Sequence, residues 1–207
     1  NGCVSIYGGF DNYAVTGAVS DPSKYHTVFN GDISKDDEID ETLDSDGFPL
    51  LTKAHREDNV SSMFSTLNED PHDLLFDGIV VVNAKNTFNI LFNDKHVTLS
   101  RDSFAYNDKV VQMPFNGCTM NVSNTSFYRN DECMFMPNVD IVSMDSVRFV
   151  NNKNTLLYVT KSEDFGDVQM DHVTALSNSS SVGFDIYKYN VDIKNSLFKE
   201  NNNSDLF

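Results

Sequence analysis

Polar and apolar residues alternate in short bursts along most of this chain, and the bursts recur at a nearly fixed step. Val97-Thr98-Leu99, Met120-Asn121-Val122, Val142-Ser143-Met144, Val168-Gln169-Met170 and Val191-Asp192-Ile193 each set one polar residue between two apolar ones. That period-two alternation predicts short strands with one face turned inward. Each burst is followed by the same motif: Phe104-Ala105-Tyr106-Asn107, Phe127-Tyr128-Arg129-Asn130, Phe149-Val150-Asn151-Asn152, a degenerate Ala175-Leu176-Ser177-Asn178, and Phe198-Lys199-Glu200-Asn201. The first positions of these motifs are spaced by 23, 22, 26 and 23 residues. Leu74, Phe76 and Val81 form a sixth copy, one step before Val97, Leu99 and Phe104. A further apolar run follows the Asn of the first four motifs: Val110-Val111, Met134-Phe135, Leu156-Leu157-Tyr158-Val159, and Val182 with Phe184 and Ile186.

A unit of 22–26 residues with two or three short strands and no helical periodicity fits few architectures. Leucine-rich repeats share the length, but their Leu consensus is missing, and propeller blades need about 40 residues or more. The remaining solution is an all-β parallel solenoid, in which each strand pairs with its copy in the next coil about 4.8 Å away. Equivalent residues then stack in columns. Asn107, Asn130, Asn152, Asn178 and Asn201 form one such column and are expected to build a structural ladder, each carboxamide bonding its copies above and below. The repeats occupy residues 71–207, which leaves residues 1–70 as an N-terminal capping region with an acidic loop.

Composition agrees with this reading. The 207 residues include 24 Asn and 24 Asp but only 7 Glu. Asn and Asp favour turns because their short side chains compete for the backbone. The formal net charge of −16 argues against nucleic acid as a partner, since a phosphate backbone would be repelled. No window of about 18 apolar residues is present, so no membrane insertion by a helix is expected. Cys3, Cys118 and Cys133 are too few for a disulfide framework and lack zinc-site spacing. The chain opens without a signal-peptide pattern, which reads as a mature or excised segment.

The motifs resemble a known group. Phe-x-x-Asn in coils of this length is similar to the passenger repeats of chlamydial-type polymorphic outer membrane proteins, and to right-handed parallel β-helix repeat proteins more broadly. Val4-Ser5-Ile6-Tyr7-Gly8-Gly9-Phe10, Thr27-Val28-Phe29-Asn30-Gly31-Asp32-Ile33 and Phe76-Asp77-Gly78-Ile79-Val80-Val81 resemble the strands and turns that open such solenoids. The resemblance covers essentially the whole chain. It implies a right-handed parallel β-helix, an extracellular or cell-surface location, and adhesion or structural display. The same architecture also carries polysaccharide lyases and glycosidases, so fold alone does not assign an activity.

Stacking tells where chemistry would gather. Four residues before the motif Phe, the column reads Ser100, Ser123, Asp145, Asp171, Lys194; the next position reads Arg101, Asn124, Ser146, His172, Asn195. Asp145, Asp171, His172 and Lys194 are therefore the candidate catalytic set of an alternative, enzymatic reading. The separation of about 5 Å expected between stacked carboxyls is the one retaining glycosidases use. No cofactor is called for. Calcium is the one ion the sequence suggests, through Asp44-Ser45-Asp46-Gly47 within an acidic run, although Lys53 stands where an EF-hand needs a bidentate Glu. Five sequons occur, at Asn59, Asn121, Asn124, Asn178 and Asn202. Roughly four are expected by chance, so their number carries no weight. Asn59, Asn121, Asn124 and Asn202 are the glycosylation candidates, with Asn178 excluded as a ladder residue.

The sequence thus points to a non-enzymatic extracellular surface or structural protein, adhesin-like or filament-forming. Its expected partners are itself, end to end, and surface glycans or proteins. A carbohydrate-active enzyme or a carbohydrate-binding module is the alternative. No capping segment is visible after the last repeat, which suggests either a cut from a longer solenoid or a face that meets another subunit. The register makes a direct prediction: Phe127 faces inward, so Phe127→Ala leaves a cavity and costs about 3–5 kcal/mol. A loss below about 1 kcal/mol in denaturant unfolding would put Phe127 at the surface.

Overall fold

Each alternating burst forms a strand that pairs in parallel with its copy in the neighbouring coil. The computed structural model describes residues 3–43, 49–53, 57–66, 73–91, 93–114, 116–162, 164–179 and 183–202. Among them there is no helix, and three parallel sheets wall a β-solenoid. The first sheet stacks β1 (Cys3–Tyr7), β6 (Asp73–Asp77), β9 (His96–Ser100), β12 (Thr119–Ser123), β15 (Ile141–Asp145), β18 (Gly166–Asp171) and β21 (Tyr189–Lys194). The second stacks β2 (Thr27–Asn30), β7 (Ile79–Val82), β10 (Ser103–Ala105), β13 (Ser126–Tyr128), β16 (Arg148–Val150), β19 (Thr174–Leu176) and β22 (Leu197–Lys199). The third stacks β5 (Phe64–Ser65), β8 (Asn86–Asn89), β11 (Lys109–Gln112), β14 (Glu132–Phe135), β17 (Leu157–Thr160) and β20 (Phe184–Tyr187). β1, β2 and β5 all come from the first 70 residues, so this region extends every wall of the solenoid. Between β2 and β5 the chain leaves the coil as an antiparallel hairpin, β3 (Glu38–Leu43) and β4 (Pro49–Lys53).

The motif columns are in register throughout. Phe104 pairs with Phe127, Phe127 with Phe149, Phe149 with Ala175, and Ala175 with Phe198. In an extended strand, residues three apart point to opposite faces. Phe-x-x-Asn nevertheless turns both ends inward, because the residue just before each Asn is left-handed: Tyr106, Arg129, Asn151, Ser177 and Glu200 have φ of 60°, 51°, 56°, 53° and 58°. A second left-handed column, Gly78, Arg101, Asn124, Ser146, His172 and Asn195, turns the chain from the first wall to the second.

The ladder hydrogen bonds run the length of the Asn column. Asn107 donates its backbone N–H (3.0 Å) and its Nδ2 (3.0 Å) to Asn130 Oδ1. Asn130 does the same to Asn152, Asn152 to Asn178, and Asn178 to Asn201. The second Nδ2 proton reaches a backbone carbonyl one coil back: Val81, Phe104, Phe127, Phe149 and Ala175 in turn. Each interior carboxamide is therefore saturated, which makes its complete burial tolerable.

The core between the walls is a continuous aromatic stack. Phe29, Phe64, Phe88, Phe104, Phe127, Phe149, Phe184 and Phe198 meet in sequence with ring centroids 4.9–5.9 Å apart. The second wall does not supply every ring. Where it carries Ala175, the third wall carries Phe184, which bridges Phe149 (5.9 Å) and Phe198 (5.5 Å). Where it carries Val81, the third wall carries Phe88. In the three coils between, the second wall carries Phe104, Phe127 and Phe149 and the third wall carries Val111, Met134 and Leu157. From the coil of Phe104 to the coil of Phe184 one ring per layer is kept while the wall that provides it changes, as constant packing density requires; the two coils before them hold two rings each, Phe29 with Phe64 and Phe76 with Phe88.

This exchange predicts strong coupling. Phe184→Ala should cost about 3–5 kcal/mol and Ala175→Phe about 1–3 kcal/mol by overpacking. The double variant should be more stable than Phe184→Ala alone, with a coupling of about 1 kcal/mol or more by chemical denaturation. Additive losses would show that the two positions do not share a layer.

Candidate functional site

The first corner of the coil carries the polar columns in which chemistry would gather. Asp145 ends β15 and Asp171 ends β18, and the two are register partners. His172 follows Asp171 in the left-handed corner position. Its Nδ1 lies 3.1 Å from Asp171 Oδ1 and 3.7 Å from Asp145 Oδ1. Asn195 Nδ2 donates to Asp171 Oδ1 (2.9 Å), and Ser146 Oγ lies 3.2 Å from Asp145 Oδ1. Asp145, Asp171 and His172 thus offer three potential ligand or proton-transfer atoms within 4.8 Å of one another. Lys194 shares their column, but its ammonium pairs with Asp192, and that bond holds the ammonium pKa above its ordinary value. The side chains of Asp145, Asp171 and His172 are about half exposed or more, standing on the outer surface.

Two coils towards the N-terminus, the same corner has a different character. Residues following the left-handed position point inward, and their column reads Ile79, Asp102, Thr125, Val147, Val173, Ser196. The polar members cap backbone N–H groups of the preceding coil. Asp102 Oδ1 accepts from Ile79 N (2.9 Å), Thr125 Oγ1 from Asp102 N (3.3 Å), and Ser196 Oγ from Val173 N (3.0 Å). Asp102 Oδ2 also accepts from Ser100 N (3.1 Å). Although these donors favour the carboxylate, burial dominates: Asp102 is 1% exposed and its pKa is pushed up to about 7.

Asp102 lies at the floor of a polar cleft of about 400 Å³, bordered by Asp21, Ser23, Arg101, Asn124 and Ser126. Arg101 makes a bidentate pair with Asp77 (2.6 and 2.8 Å). Pro22 packs where a Cβ on Gly9 or Gly78 would stand, which brings the loop at residues 20–23 against the corner. Sequence reasoning placed Arg101 in a polar column but passed over Asp102. The signal was there: Asp102 is the one acid in its inward column.

The other candidate residues are dispersed. Asp32 accepts backbone N–H bonds from Lys35 (2.7 Å), Asp36 (3.3 Å) and Asp37 (3.2 Å), closing a turn at the start of the acidic run. Ser34 N donates to Asp58 Oδ2 (3.1 Å), and hydrogen bonding to Ser34 lowers the Asp58 pKa. Asp32, Asp36 and Asp58 also lie within 4.8 Å of one another. Asp44 and Asp46, the calcium candidates, lie outside the described residues. Among the sequons, Asn121, Asn124 and Asn202 are exposed, whereas Asn59 is buried and donates to Asp37 Oδ2 (3.3 Å). The Asn178 carboxamide is bound in the ladder. Cys118 and Cys133 are core residues not joined by a disulfide, and burial pushes both thiols above their ordinary pKa.

Comparison with protein families, with characterised proteins and with solved structures finds no match to this chain.

Asp102 predicts a pH dependence. Its folded pKa is about 7 against an ordinary value of 3.8, so between these pH values the folded state holds a proton that the unfolded state has lost. Stability from this group is therefore fully present below about pH 4 and falls as pH rises towards 7. At about 1.4 kcal/mol per pH unit, the drop from pH 5 to pH 8 is roughly 2–3 kcal/mol. Urea unfolding of wild type and Asp102→Asn at both pH values checks it: the variant should lack this drop. Parallel pH profiles would mean that Asp102 stays ionised in the fold.

Proposed function

We propose that this protein is a non-enzymatic structural rod of the cell surface or extracellular space, adhesin-like or filament-forming, whose work is rigid display and self-association. The observation that carries this reading is the axial continuity of the interior. One aromatic stack and one Asn ladder run through successive coils, so the scaffold has a single stiff direction. The resemblance to passenger repeats of surface proteins supports the location. Outward strand positions such as Thr98, Asn121, Ser143, Gln169 and Asp192 give the first wall a polar face suited to meeting surface glycans or proteins.

The enzymatic or carbohydrate-binding alternative rests on Asp145, Asp171 and His172, with Lys194 as a further member. Asp145, Asp171 and His172 gather on two adjacent columns but stand on an open surface, and Lys194 pairs with Asp192 instead. A hydrolase or lyase benefits from a site that excludes water and orients its substrate.

Self-association has to overcome the repulsion between chains of net charge −16, which acts over about 8 Å at physiological salt. Association should therefore strengthen with added salt, and with calcium if the acidic run binds it. Analytical ultracentrifugation across salt and calcium series checks this. A strict monomer at every concentration and salt would overturn the filament-forming reading. Cleavage within a panel of acidic polysaccharides would replace the structural reading with the enzymatic one.

A further inference from the structure

The two ends of the stack are unlike its middle. Val168 and Met170 of β18 are buried, but their counterparts Val191 and Ile193 in β21 are 46% and 38% exposed. At the other end Val4 of β1 is 45% exposed, and an apolar cavity of about 280 Å³ opens beside it, lined by Val4, Ile6, Phe64, Leu74, Phe76 and Phe88 among others. Among the described residues each of the three sheets ends on a strand with one unpaired edge: β1, β2 and β5 at one end, β21, β22 and β20 at the other.

Resting on the self-associating reading above, we propose that the solenoid continues in register across the junction between two copies, β21 of one pairing in parallel with β1 of the next. The two faces carry the same pattern. Val191-Asp192-Ile193 ends the apolar column that Val4-Ser5-Ile6 begins, so stacking one on the other repeats the contact that every interior coil makes. The second wall matches as well. Phe198 ends the column that Phe29 begins, and both rings already sit at the ends of the aromatic stack. Side chains from β21 would enter the apolar cavity beside β1.

Charge favours this pairing of unlike ends over like ends. Residues 183–202 carry Lys188, Lys194 and Lys199 against Asp185, Asp192 and Glu200, a balance of zero in a strongly acidic chain. Residues 3–37 carry Lys24 and Lys35 against Asp11, Asp21, Asp32, Asp36 and Asp37, a net −3. Two N-terminal ends repel, while a neutral end studded with lysines meets an acidic one. Contact between two different ends is heterologous, so it propagates into an open filament unless it closes into a ring.

The register can be read with a disulfide. Cys3 and Asn190 are exposed ends of one column, reached through Asp73, His96, Thr119, Ile141 and Asp167. In the proposed junction Asn190 of one copy stands beside Cys3 of the next. A cysteine there lies within the Cα separation of about 7 Å that a disulfide tolerates. The full-length Asn190→Cys variant should, under mild oxidation, give a reducible ladder of oligomers, and peptide mass spectrometry should find residue 190 linked to residue 3. Asp192→Cys, whose register partner is Ser5 rather than Cys3, should give at least about tenfold less of its link to Cys3, because a two-residue offset puts the Cα atoms about 8 Å apart, beyond the reach of a disulfide. Oligomers that form in the ultracentrifuge but cross-link equally from positions 190 and 192 would overturn the in-register junction and leave self-association standing. A monomer under all conditions would overturn both.

Discussion

A carboxamide has two N–H donors and a carbonyl that accepts twice, and in a parallel stack one Asn per coil can use all four. Asn130 shows how. Its Oδ1 accepts from the backbone and side chain of Asn107, and its Nδ2 donates to Asn152 Oδ1 and to the Phe104 carbonyl. An aspartate of the same shape would have no proton to donate and would face a like charge one coil away. That is why a chain with as many Asp as Asn places only Asn in this column from Asn107 to Asn201, while one coil earlier Ala84 takes the position and only its backbone N–H bonds to Asn107 Oδ1. The ladder ties the second corner of each coil to the next, and the left-handed residue before each Asn lets the neighbouring Phe share the same interior. Strand register, aromatic stacking and the flat polar outer faces all follow from that fixed corner.

The core meets a second constraint with more freedom. Every coil keeps at least one aromatic ring in the core, but the walls supply it by turns, Phe88 and Phe184 standing in where the motif position holds Val81 or Ala175. Between Asn107 and Asn201 the ladder keeps Asn at every step because its atoms bond in a line. Dispersion contacts are non-directional, so a ring from any wall fills the same space. Strict polar columns beside an interchangeable apolar filling allow a repeat sequence to drift without loss of the fold.

The polar corner shows the opposite environments one column pair can create. Asp145 and Asp171, at the end of their strands, face water and gather His172 between them. Asp102, one position past the left-handed residue, faces inward and carries a pKa displaced to about 7. The outward set gives the rod a charged ridge. The inward one places a proton-sensitive group under a corner that the loop at residues 20–23 covers.

The repeat period alone determined a great deal here. Once Phe-x-x-Asn recurs at 22–26 residues, hydrogen bonding between parallel coils forces equivalent positions together. Phe127 on Phe149, Asn130 beside Asn152 and Asp145 beside Asp171 are therefore all legible in the order of residues along the chain. What the period does not encode is contact between different columns. That Phe184 fills the space left by Ala175 depends on the distance across the coil, and that Asp102 is buried depends on which way a left-handed corner turns the next side chain. The participation of β1, β2 and β5 in the same walls is masked in the sequence, because a hairpin interrupts the period between β2 and β5. Repetition specifies neighbours along the axis, whereas the cross-section of each coil is set by side-chain volumes and backbone turns that only the folded chain brings into contact.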